Sequence, residues 1–425
     1  MSEQLFLTHL QRHFQDRKKD ALHPFREKSW LRLSEVGLPS KSQEAFRYLP
    51  LRELYLSSFK TSCSFALDKS TFSHAILPEC KESHLIFVDG QFAPEFSVLP
   101  SCAVVKSLDE AIQSHHGFVQ HQLLRTLKEE NDPFALVNLA LHGNGVFFYL
   151  PPKVDLSSPV QVLHLFTGRE PIVASPRLSL ALGAQSKMQW ISTAFHLHSQ
   201  QPHFILPATE ISLDEGASLE AFHMIDAPQA SWHFESIRAH LKKNATFRSF
   251  SFTLGAKIVR QSYRIYLKGE NSEADLNGLW TLSKHNTAHI HAIVEHEAPH
   301  TRSMQLFKGV LNDFSQSSFE GKILVRPEAQ KTEAYQLNKN LILHQGAIAN
   351  SKPNLEIFAD DVKASHGATV SQLAPDQLFY FKTRGIDSRT AKHLLLQGFC
   401  HEMIARIPYS SLFQKVQHQV EANET

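Results

Sequence analysis

Cysteine is scarce: four residues in 425, at Cys63, Cys80, Cys102 and Cys400. None forms a C-x-x-C pair, which excludes a zinc ribbon or a self-contained cluster site of recognisable spacing. The sparseness suits a reducing compartment better than a disulfide-stapled secreted domain. Excess charge is also missing. Lysine and arginine number 43 and aspartate and glutamate 42, so a net charge of +1 supplies no general attraction for nucleic acid or an anionic membrane. No apolar run approaches the roughly 18 residues that suggest a membrane span. Met1 to His9 lack a basic segment followed by an apolar one. The expectation is no signal peptide and a cytoplasmic location.

Enzyme signatures begin and then break. His296-Glu297-Ala298-Pro299-His300 matches H-E-x-x-H, but zinc-protease chemistry needs both histidines on one helical face. Pro299 inside that turn removes a hydrogen bond and clashes with the turn before it. The wider group His285, His289, His291, His296 and His300 is of a kind that collects metal. With 26 histidines in the chain, surface or hydrogen-bonded side chains are the better account. Gly143-Asn144-Gly145 has Phe148 where a dinucleotide fingerprint needs its third glycine. Glu220 replaces the last glycine of a nucleophile elbow, and Gln316 stands where a phosphate loop ahead of Gly321-Lys322 would start. The chain is expected to be non-catalytic, with no ATP-binding loop of its own.

What is present divides into three. Phe6, Leu7, Leu10 and Phe14 give one helical stripe, and a second helix starts near Pro24 and stops at Gly37. Leu85 to Val88 reads as a strand running into the Asp89-Gly90 turn. From Pro133 to Phe358 helical periodicity is lacking. Short alternating runs replace it, such as Ile237/Ala239/Leu241 and Tyr263/Ile265/Leu267, separated by small-residue corners such as Gly216-Ala217 and Asn244-Ala245. That pattern favours a β-solenoid, in which each coil stacks on its neighbour, while a β-sandwich or jelly roll has similar short strands. The tail returns to helix: Asp376 to Lys382, then a helix capped by Asp387, then a stripe at Leu412, Val416 and Val420. The division expected is 1–130 helical and mixed, 131–365 solenoid core, and 366–425 helical.

Pro353 to Val370 joins an alternating strand, an acidic pair at Asp360-Asp361 and a histidine beside glycine at His366-Gly367. An imidazole can ligate iron or carry protons, and a neighbouring glycine lets another backbone approach. A turn closing the β region is the plainer account of the same residues.

Pro353-Asn-Leu-Glu-Ile357, Ala359-Asp-Asp-Val362, Ser365-His-Gly-Ala-Thr-Val370, Asp376-Gln-Leu-Phe-Tyr380 and Thr383-Arg-Gly-Ile386 closely resemble the C-terminal signature of the SufB/SufD family of iron–sulfur cluster assembly subunits. The likeness extends upstream through His296 to His300, Phe319-Glu-Gly-Lys322 and Ala329-Gln-Lys-Thr332, and to Gly37-Leu-Pro39 and Glu44-Ala-Phe-Arg-Tyr48. Two features favour the SufD branch. Ala364 to Val370 replaces the acidic stretch typical of SufB, and the strand around Asn338 to Leu343 has no cysteine.

The resemblance implies a right-handed parallel β-helix between helical ends, paired with a SufB-type subunit through the β-helices. It implies a SufC ATPase bound through the C-terminal helices, with Gln377, Phe379, Tyr380, Arg384, Gly385 and Ile386 as docking candidates. His366 is the implied cluster-assembly residue, supported by Asp360 and Asp361. A transient Fe–S cluster would be shared with SufB and none held stably by this chain alone; a homodimer in isolation is allowed, and no nucleic acid or membrane is involved. Two departures stand out: Ala364 occupies a position where many relatives carry cysteine, and Phe46 replaces the usual tryptophan. The rival accounts are a secreted polysaccharide lyase on a β-helix, disfavoured by the opening residues, and a SufB-like subunit that carries its own sulfur-accepting cysteine.

Overall fold

The computed structural model describes residues 2–61, 67–198 and 201–422; Cys63 lies outside them. Between Val146 and Ser371 the alternating runs form two sheets, each built from every second strand, with eight coil strands apiece. The pairing is parallel and in register: Trp232–Leu241 lies on Ile258–Leu267, and Thr246–Thr253 on Glu273–Leu282. This is a mainly β chain with a parallel solenoid flanked by helices, as the short runs predicted. Ile237, Ala239, Leu241, Tyr263, Ile265 and Leu267 all point inward and are buried, so alternate residues of each strand build one continuous apolar lumen.

The coil corners have a simple chemistry. Gln185, Gly216, Asn244, Asn271, His300 and Lys331 all take positive φ, and each amide donates to a carbonyl of the next coil. The residue after each is small and buried: Ser186, Ala217, Ala245, Ser272, Thr301 and Thr332. Where it is Ser or Thr, its hydroxyl donates to the carbonyl three residues back, as Ser186 Oγ does to Gly183 at 2.7 Å and Thr332 Oγ1 to Ala329 at 2.9 Å. A buried hydroxyl thus satisfies itself within the turn. Gly216-Ala217 and Asn244-Ala245 are corners as read from sequence. Gly183-Ala184 lies just before its corner, and Glu273-Ala274 opens a strand just after one.

The two N-terminal helices form where expected, Ser2–Gln15 and His23–Val36, the second ended by Gly37 at φ 75. One helix falls inside the Pro133–Phe358 stretch, where helical periodicity is lacking: Pro133–Leu141, all nine residues of which are buried. A helix covered on every side has no polar face, so its sequence carries no amphipathic period. It is started by Asp132, whose carboxylate accepts from the Phe134 amide at 3.0 Å and forms an ion pair with buried Arg260 at 2.6 Å. This N-terminal region closes one end of the solenoid. Val104–Ser107 pairs antiparallel with the first coil strand of one sheet, and the hairpin His84–Val88 and Gln91–Phe92 pairs with the first of the other.

The tail forms Pro375–Thr383, Ser388–Ile404 and Ser410–Ala422. Leu396, Met403, Ile404, Leu412 and Val416 pack with the outward-facing Phe222, Phe250 and Leu306. The last two helices therefore cover the outer face of one sheet.

Candidate functional site: the open end of the solenoid

Among the described residues nothing caps the other end of the solenoid. Ile348–Ile357 and Val362–Ser371 are the terminal strands of the two sheets, each paired on one side only. Earlier coil strands are mostly buried, whereas these two are half-buried to exposed along nearly their whole length. Ile348 is 48% exposed, Phe358 61% and Val370 48%, so three large apolar side chains ring the open coil. Pro353 lies in the Ile348–Ile357 edge, where its missing N–H breaks the run of unpaired donors.

His366 belongs to the strand Val362–Ser371 and is exposed. Its register partner in the coil below is Gln336, and Gln336 in turn stacks on Gln305. Ala334 and Thr332 on the lower strand face inward, so His366 occupies an inward-facing position at the mouth of the lumen. Beneath it the lumen turns polar. Gln336 is 2% exposed and donates through Nε2 to the Asn354 carbonyl at 2.9 Å. Gln305 is 1% exposed, and neither of its amide atoms has a hydrogen-bond partner among the described residues. One coil further in, Leu276 lies under Gln305 and belongs to the apolar core. The column Gln305–Gln336–His366 was not singled out from the sequence, although the roughly thirty-residue spacing of its members is the signal that would have found it.

Asp360 and Asp361 form the corner that leads into the His366 strand, and both are exposed. The Asp361 amide donates to Gln330 Oε1 at 2.9 Å, and its carbonyl accepts from the Lys331 amide at 2.5 Å. Those backbone bonds tie the last corner to the one before it. Among the described residues no three His, Cys, Asp or Glu side chains converge closely enough to hold a metal ion. The histidine group behind H-E-x-x-H is dispersed. His296 ends a strand, buried between Thr301 Oγ1 at 2.7 Å and Ser303 Oγ at 2.9 Å, while His300 is an exposed corner residue. His289 is buried on the outer face, where burial first and then the Arg260 guanidinium hold its pKa well below the usual imidazole range.

Three residues after the His366 strand, the helix Pro375–Thr383 begins, and none of its residues is buried. Phe379 is 68% exposed and Tyr380 57%, and the Arg384 guanidinium lies 5.3 Å from the Tyr380 ring centre. Gln377 is exposed on the same helix; Gly385 turns the chain at φ 78, and the Ile386 amide donates to the Phe381 carbonyl at 3.1 Å. The open coil and this bare helix therefore adjoin along one continuous stretch of chain.

Among the described residues, then, the chain is a two-sheet parallel solenoid, closed at one end by its own N-terminal region and open at a histidine-bearing coil. The family model for the SUF system FeS cluster assembly SufBD core domain matches residues 164–399, and that for the SufBD protein N-terminal region matches residues 3–162. The chain belongs to the SufBD family of iron–sulfur cluster assembly proteins. It is 31% identical over 392 residues to an iron–sulfur cluster assembly SufBD family protein of Synechocystis, covering 89% of this chain and 86% of that one. It is 29% identical over 391 residues to the iron–sulfur cluster assembly protein SufD of Escherichia coli, covering 90% and 89%. To the chloroplastic protein ABCI7 of Arabidopsis thaliana it is 25% identical over 415 residues, covering 94% and 85%. Among the described residues no helix is long and apolar enough to cross a membrane.

Proposed function

We propose that this chain is a SufD-type scaffold subunit that joins a SufB-type subunit through its open coil. A nascent Fe–S cluster is assembled at the joint as cargo. The observation that carries this is the asymmetry of the solenoid: one end is closed by its own chain, and the other exposes two unpaired strand edges with Ile348, Phe358 and Val370. An edge of that kind is a template for another chain, and an exposed apolar ring marks a contact surface. His366 stands on that coil and supplies one imidazole. The remaining ligands would come from the partner, since borderline imidazole and soft thiolate both suit iron. Asp360 and Asp361 hold the corner that orients the strand.

The exposed helix around Phe379 and Tyr380 is the docking element for a SufC-type ATPase. A partner that pulls this helix acts on the His366 strand through three intervening residues, so ATP-driven movement would reach the joint as a rigid-body shift. The chain itself acts without catalysis, in the cytoplasm, on proteins rather than on nucleic acid or membrane. Co-expression with SufB- and SufC-type subunits from the same source tests this. A stable complex of all three is expected, and a chain that purifies alone contradicts the scaffold role. In that complex His366→Ala should leave assembly intact and slow cluster formation at least tenfold. An unchanged rate removes the histidine's part.

A further inference from the structure

Away from the open coil, a groove of about 550 Å³ lies between the helix His116–Glu129 and the outer face of the early coils. Its floor is aromatic. Phe118 is 46% exposed on the helix, and its ring centre lies 5.9 Å from that of Phe147; Tyr149 and Ala181 continue the surface. A monomer's exposed phenylalanine over an apolar concavity is a feature that ligand sites share.

The rim is cationic. Arg125, Lys242 and Lys268 line it against the single carboxylate of Asp214. Lys242 pairs with Asp214 at 3.1 Å, and Lys268 makes a longer pair with Glu129 at 3.9 Å. Arg125 reaches Ser212 Oγ at 3.3 Å, and its Nε has no hydrogen-bond partner among the described residues. His240 beside it is 9% exposed, stacks flat on Tyr266 with ring centres 4.5 Å apart and lies with Nε2 3.5 Å from Glu129 Oε2, while Nδ1 has no hydrogen-bond partner among the described residues. Burial first, then the positive field of Arg125, Lys268 and Arg264, holds the His240 pKa at about 2. The ring is therefore neutral, and the cations Arg125, Lys268 and Arg264 outnumber the one carboxylate beside it, Glu129. Cationic side chains at the edge of an apolar aromatic floor favour a ligand with one negative group and one flat face.

We propose that this groove binds a small organic anion built on a planar aromatic ring, with the ring on Phe118, Phe147 and Tyr149 and the anionic group at Arg125 and Lys268. The proposal needs no partner subunit, so it stands apart from the scaffold role. The probe is 1-anilinonaphthalene-8-sulfonate, titrated by fluorescence into the full-length chain. One saturable site per chain with blue-shifted emission is expected. The Arg125→Gln/Lys268→Gln double variant and, separately, Phe118→Ser should each raise its Kd at least tenfold. Phe379→Ser, which alters an exposed aromatic elsewhere, should leave it unchanged. Phe118 is exposed enough that its replacement leaves the fold intact, so that variant decides the matter if the double variant melts early. Binding that does not saturate, a Kd unmoved by Phe118→Ser, or an equal loss in Phe379→Ser overturns the assignment. Displacement by inorganic phosphate alone at similar concentration removes the need for the ring and overturns it too.

Discussion

His296 was the most misleading residue in the sequence, and its structural role makes a measurable claim. Both ring nitrogens are engaged by hydroxyls, and burial holds its pKa at about 3. His164 and His233, inside the lumen, are held at about 4, again chiefly by burial. The unfolded chain takes up these protons near pH 6.5, the folded chain only near pH 3 to 4. The stabilisation from keeping them neutral is complete above about pH 6.5 and is lost as pH falls toward 4. One pKa unit corresponds to about 1.4 kcal/mol, so each such histidine is expected to matter by a few kcal/mol in acid. Glu235 acts in a lower window. Burial opposes its charge, but His223 outweighs that and holds it at about 2, so its contribution fades only below about pH 4.5. Thermal midpoints measured from pH 7 to 4.5 should fall steadily, and less steeply for His296→Gln. A flat profile contradicts the buried neutral histidines.

Steric fit makes a second claim at this scale. A Cβ on Gly269 would press against the backbone of Lys242 and Lys243 in the coil below. Gly269→Ala should cost about 1–3 kcal/mol, read as a lower urea midpoint with unchanged slope. The local string singled out His366 and the corner acids, but only the resemblance to a family implied a cluster-assembly role for them. Nothing in the local string tells that His366 stands over Gln336, because that depends on the register of strands about thirty residues apart.

Among elements, the coil strands were readable because alternation survives wherever one face lines the lumen and the other meets solvent or helix. The corners were less so. Their invariant is a residue at positive φ followed by a small buried one, but Gly, Asn, Gln, His and Lys share the first place and Ala, Ser and Thr the second. The helix Pro133–Leu141 escaped for the opposite reason, since burial on all sides erases the period, although Asp132-Pro133 is a start signal. That aspartate links the helix to the solenoid. Burial opposes its charge, yet Arg260 and Arg238 outweigh that and hold its pKa below the usual carboxylate range. Asp132→Ala should remove the cap and leave Arg260 buried without its partner, a loss of about 3–5 kcal/mol in denaturant unfolding. A loss under about 1 kcal/mol would mean the pair adds little.

At the scale of the whole molecule, the decisive property is that the two ends differ. The N-terminal strands and helices close one end, so growth of the sheets in that direction is blocked. The other end offers two strand edges, three exposed apolar side chains and one histidine, next to a helix with no buried residue. Among the described residues the chain thus has its own core and one uncovered end. The most direct measurement is pull-down of a SufB-type subunit by Ile348→Asp/Phe358→Asp/Val370→Asp, with SufC-type binding scored in the same experiment. All three positions are exposed, so the fold should survive the charges. Loss of the SufB-type partner by at least tenfold with SufC-type binding kept is the predicted result. Undiminished capture of the SufB-type subunit would contradict the claim that the open coil is where the scaffold is joined.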